Sequence, residues 1–193
     1  MVATCPDRSA EGLSLVEVAA RQRKPAADAM LDLLVKNDGA VSIVLFTQAE
    51  QNVQKALQQP YVMIGSDSLG LSEGPGPHTG RPHPRMYGTF PRVLGKYARD
   101  AGLFTQEAAV AKMTGMPAAK LDLRARGLVR EGYFADLALF DPATVCDHAT
   151  FEDPHRYPGG IPYVIVNGSV VVDDGKFNSR AAGRILRRTS ALQ

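Results

Sequence analysis

At 193 residues, 45% of them apolar, the chain is long enough to form a domain with a substantial buried core. Its 22 Lys and Arg against 20 Asp and Glu leave a net charge of +2, too little to argue for nucleic acid or an anionic membrane as a partner. No run approaches the ~20 apolar residues of a membrane span. The opening residues lack the apolar centre of a signal peptide, so a cytoplasmic location is expected. Cys5 and Cys146 share no disulfide-framework or zinc-knuckle spacing and are expected as small, buried or half-buried hydrophobes. Arg184, Arg187 and Arg188 are expected to form a solvated tail.

Ser14-x-x-Glu17 is a capping-box pattern that opens a helix over 14–24. Pro25 suits the first turn of a second helix, in which Ala27, Met30, Leu31, Leu34 and Val35 recur at the spacing of a buried stripe. Asn37-Asp38-Gly39 stops it. Val41–Phe46 is nearly all apolar and reads as a strand covered on both faces. Thr47-x-x-Glu50 is a second capping box, for a helix that ends at Pro60. Tyr61–Ile64 then reads as a second buried strand, so 41–66 has the length and order of a parallel βαβ unit.

The second strand stops at Gly65-Ser66-Asp67 and gives way to a Gly/Pro-rich loop reaching about Thr89. Loops of that length are usually functional or disordered. A carboxylate at the C-terminal end of a strand that opens into such a loop is where α/β enzymes place catalytic groups. On pattern alone, Asp67 reads equally well as a turn residue satisfied by local N–H groups. Helical patterning returns over about 90–100, again from the N-cap Thr105 to about Gly115, and briefly after Pro117. From 124 to 180 the chain changes to short β-like runs. Tyr163–Val166 and Ser169–Val172 flank Asn167-Gly168, a strong hairpin signal, and Asp173-Asp174-Gly175 makes the next turn. Asp136 and Asp141 bracket the run 135–140 and are expected to serve its turns. A boundary near 124 separates an α/β part from a small β part.

The runs MIGSDS (63–68), HPRMYGTFPRVLGKY (83–97), KMTGMPAAKLDL (112–123), GYFADLALFDPATV (132–145) and GGIPYVIVNG (159–168) resemble the C-terminal part of N-acyl-D-amino-acid deacylases of the amidohydrolase superfamily. The resemblance implies the C-terminal fragment of a zinc-bearing (β/α)8 hydrolase barrel over 1–123, followed by half of a small β-sandwich-like domain over 124–193. It implies hydrolysis of a linear amide bond in an N-acyl-D-amino acid. Asp67 matches the family's catalytic carboxylate beside the metal, and Arg85 of the HPR motif matches the arginine that holds the substrate carboxylate. Ser68 stands where the family commonly has glycine.

The family's metal is held by a His-x-His region, a cysteine and further histidines. The four histidines here, His78, His83, His148 and His155, include no such pair, and none is assigned as a ligand. His148 and His155 are expected to be structural and away from the site. Arg85 suits a forked hydrogen bond to a carboxylate, the alternative being a salt bridge that orders the loop. Because a catalytic zinc usually needs three protein ligands, the chain alone is expected to be inactive. A second polypeptide would then supply the N-terminal part of the barrel. The competing expectation is a non-catalytic module that docks through its β part.

Overall fold

Capping and turn chemistry set most of the elements in the computed structural model, which describes residues 1–70 and 80–187. His78 and Arg188 lie outside the described residues. The architecture is α/β with two small antiparallel sheets. The chain divides into two compact units, one comprising 1–48, 67–88 and 148–157, the other 49–66, 89–147 and 158–193.

In the first unit, β1 (Val2–Thr4) precedes α1 (Leu15–Gln22), which opens on the expected capping box. Ser14 accepts from the Glu17 N–H, and the Glu17 carboxylate accepts from the Ser14 N–H at 2.7 Å. Arg23, in the left-handed region, ends the helix. In α2 (Ala26–Lys36) the buried face is Ala29 and Leu33, which join Val2, Cys5, Ala10, Val18 and Ala19 in one core. The stripe expected from spacing is not that face: Met30, Leu31 and Val35 are 43%, 55% and 79% exposed. A helix with apolar residues on two sides offers two candidate faces, and packing on α1 selects the one with the small Ala29.

The parallel βαβ unit expected over 41–66 does not form. β2 is two residues, Ser42–Ile43, and pairs antiparallel with β1. Residues 61–66 form no strand. A strand exists only where a neighbour takes its backbone groups, and the Ile64 N–H finds a single carbonyl, that of Lys112, at 3.0 Å.

In the second unit, α3 (Glu50–Gln58) begins later than its expected capping box, with Ala49 at the N-cap and no side-chain cap. The helix α4 (Arg85–Arg92) starts in the first unit, at the HPR motif and several residues before the expected 90; the π-helical segment that continues it, Val93–Asp100, belongs to the second. α5 (Gln106–Met113) takes its expected cap, Thr105 accepting from the Ala108 N–H at 3.2 Å, and α6 (Gly115–Lys120) follows. Val93, Leu94, Tyr97, Ala98, Ala109 and the fully buried Val145 form this unit's core. Gly95 permits close approach to the Val145 carbonyl, with which any Cβ there would collide.

The second sheet is a meander in the order β3 (Leu137–Leu139), β4 (Tyr163–Val166), β5 (Ser169–Asp173), β6 (Lys176–Phe177). Both hairpin turns are of the kind expected. Asn167-Gly168 and Asp174-Gly175 have φ of 48°, 80°, 47° and 74°, the paired positive values of a type I′ turn. Asp136 accepts from the Asn167 N–H at 2.7 Å, and Asp141 accepts from the Ala143 N–H at 2.8 Å, so both serve turns.

Candidate functional site

Asp67 follows the apolar run 61–64 and adopts a left-handed backbone, φ 47°. Aspartate tolerates that region better than most residues because its short polar side chain can bond locally. The carboxylate itself is 90% exposed. Arg85 begins α4, and its Nη2 lies 3.0 Å from Asp67 Oδ2. The two residues singled out in the sequence, one at the start of the long loop and one at its end, therefore meet. The pair is exposed, so its Coulomb energy contributes little to stability. What it gives is proximity of an acceptor-only carboxylate to a five-donor fork.

The first turn of α4 is held from behind. The Arg85 N–H donates to His83 Nδ1 at 3.0 Å, so the histidine acts as a cap for a helix N–H. The His83 ring meets Phe151 edge-on at 5.1 Å between centroids, and Phe151 in turn packs on Phe46 at 4.8 Å. One residue after Met86, the Tyr87 hydroxyl lies 3.1 Å from His155 Nδ1. His155 Nε2 lies 3.0 Å from the Gly80 carbonyl oxygen. His155 thus sits in the same unit as Asp67 and Arg85, not away from them as its place in the sequence suggests. Its partner is 68 residues away in sequence, and no motif links them. His148 is exposed.

Among the described residues, no group of three or more His, Cys, Asp or Glu side chains is placed to hold a metal ion. Cys5 is buried, its thiol donating to the Asp7 carbonyl at 2.7 Å, and burial pushes that thiol's pKa up, which makes it a poor ligand or nucleophile. Cys146, in the second unit, is half-buried and forms no disulfide. Among the described residues no helix is long and apolar enough to cross a membrane.

The chain as a whole is similar to known proteins. Residues 52–172 match the sequence model of the amidohydrolase family. A D-aminoacylase from Alcaligenes xylosoxydans xylosoxydans is 48% identical over 180 residues, which are 93% of this chain and 35% of the relative. A solved D-aminoacylase, studied for the functional role of its binuclear metal centre, superimposes with a TM-score of 0.85 at 46% identity, covering 97% of this chain and 37% of that one. The N-acyl-D-glutamate deacylase of Bordetella bronchiseptica, solved with zinc and a phosphonate mimic of the tetrahedral intermediate, gives 0.78 at 36% identity over 91% of this chain and 35% of that one. The chain spans about a third of the length of the relatives it matches.

Proposed function

The chain belongs to the amidohydrolase family, and from that premise we propose that it carries the catalytic carboxylate and the substrate-binding arginine of an N-acyl-D-amino-acid deacylase. The observation that carries this reading is the meeting of Asp67 and Arg85 at 3.0 Å. In the reaction, Asp67 takes the proton of the attacking water and later returns it to the departing nitrogen. Arg85 holds the substrate carboxylate through two parallel N–H donors, a geometry lysine lacks. Substrate binding would replace Asp67 with the substrate's own carboxylate at the guanidinium, and so free the base.

Family members use a metal, but the described residues do not fit one by themselves, since no ligand group converges. The steps assigned to this chain are therefore those of Asp67 and Arg85. The barrel assignment over 1–123 and the small β-sandwich-like half over 124–193 belong to the same proposal, supported by the likeness to the solved deacylases. The remaining strands and the metal ligands would come from further polypeptide of the kind the longer relatives carry.

A second reading has its own support. In the β part, Val129, Leu139 and Phe177 are 90%, 46% and 53% exposed, apolar residues suited to docking on another subunit, in which case Asp67 is without function. One experiment separates the two. The chain is mixed with the N-terminal two-thirds of a D-aminoacylase and with zinc, and N-acyl-D-amino-acid hydrolysis is followed. The chain alone should show no turnover, the mixture should turn over, and Asp67→Asn should lower kcat ~10²–10⁴-fold, the usual range for loss of a general base. A mixture indifferent to Asp67→Asn identifies the docking module instead. Arg85→Lys should raise KM ~10–100-fold, the loss expected for a charged, forked hydrogen bond.

A further inference from the structure

His155 and Tyr87 connect three parts of the first unit that the sequence keeps apart. The Gly80 carbonyl can only accept, so the His155 Nε2 facing it at 3.0 Å carries a proton. In the neutral ring Nδ1 is then the acceptor, and the Tyr87 hydroxyl 3.1 Å away donates to it. Gly80 is itself fixed. It is buried, with φ 70°, and a Cβ there would collide with Thr4 Cγ2 and the Ala3 carbonyl, while the next residue, Arg81, donates its N–H to Ala3 O at 2.6 Å. The return end of the loop is thus anchored on β1 and on His155 together.

The same segment holds α4. Tyr87 meets the rings of His155 and Tyr157 edge-on, each at 5.8 Å between centroids, while Phe151 bears on His83, the residue that caps the Arg85 N–H. Successive helix residues turn by ~100°, so Tyr87 and Arg85 leave α4 ~200° apart. Pinning Tyr87 on one side sets the direction in which Arg85 points on the other, where it meets Asp67.

We propose that His155 and Tyr87 are positioning residues for Arg85: the segment 148–157 clamps the first turn of α4 and the base of the loop, and so holds the guanidinium at Asp67. This deepens, and rests on, the reading of Arg85 as the arginine that binds the substrate carboxylate. The test uses the full isotope-labelled chain in solution and reads the Arg85 guanidinium N–H signal and the His155 ring tautomer by magnetic resonance. The unaltered chain should show His155 protonated at Nε2, and an Arg85 signal that moves on Asp67→Asn. Tyr87→Phe, which deletes one hydroxyl and keeps the ring packing, should shift the Arg85 signal towards its Asp67→Asn position with helix content unchanged. His155→Ala should do the same, and His155→Gln, which retains a donor for Gly80, should recover part of the shift. An Arg85 signal that stays in place in Tyr87→Phe overturns the proposal, as does a His155 ring protonated only at Nδ1. Failure of the underlying reading looks different: Arg85→Lys would then leave KM of the completed enzyme unchanged, whatever the resonance data show.

Discussion

Asp67 and Arg85 each sit in a short motif, GSD and HPR, that the family resemblance singles out, and the structure brings the two side chains to 3.0 Å. Asp7 sits in no such motif. Its carboxyl accepts from Lys36 and from the Ser9 N–H, which lowers its pKa to about 2. Lys36 is correspondingly raised, chiefly by the same hydrogen bond. Because the folded-state value lies below the ordinary one, the stability this group contributes is present above about pH 4 and is lost as pH falls towards 2. Asp7→Asn should therefore lower the neutral plateau of the melting temperature, flatten its fall between those values, and leave the acid end little changed. A carboxylate titrating in its ordinary range by magnetic resonance would contradict the assignment. Gly80 is a second residue whose role is conformational: Gly80→Ala should destabilise the first unit by at least ~1–3 kcal/mol, the scale of left-handed strain, before the collision with β1 is added. A urea melt that superimposes on that of the unaltered chain would rule this out.

The elements divide by what defines them. Helices with a side-chain cap or a Pro–Gly signal, such as α1 and α5, are local solutions to unsatisfied N–H groups, and the sequence displays them. Ser14→Ala should cost ~1 kcal/mol in chemical denaturation, because it removes one half of the box. The segment 59–64 is held differently. Lys112 is 4% exposed, and its ammonium donates to the carbonyls of Gln59 and Val62, the latter at 2.9 Å, while its own carbonyl takes the Ile64 N–H. Lys112 lies on α5 in a run that pattern reading assigns only to a helix. Lys112→Met keeps the aliphatic bulk but orphans two carbonyls, and should cost ~1–3 kcal/mol. If that variant is as stable as the parent, the segment is held by something other than these bonds.

At the scale of the whole molecule, each unit has its own core, and each also leaves large apolar side chains in water. Met30, Leu31 and Val35 of α2 stand out in the first unit, and Leu128 and Val129, 58% and 90% exposed, in the second. Patches of this kind on a stable monomer are unusual and mark contact surfaces. The purified chain should bind an apolar dye and self-associate at micromolar concentration, and addition of the N-terminal two-thirds of a D-aminoacylase should suppress both. Dye binding unaffected by that addition would mean these faces are not the ones the added polypeptide covers.

The amino-acid sequence by itself determined the helices with caps, the two positive-φ hairpin turns and the family. All of these depend on interactions within a few residues or on motifs that keep their identity out of context. Tertiary structure alone decided which face of α2 is buried, that 41–46 and 61–66 form no parallel pair, and that His155 lies between Tyr87 and Gly80. The reason is common to all three. A strand is defined by the backbone that satisfies it, a helix face by what packs on it, and a histidine by the two atoms its ring nitrogens meet. For His155 those atoms belong to Tyr87 and Gly80, 68 and 75 residues away, a separation across which no periodicity or spacing carries information.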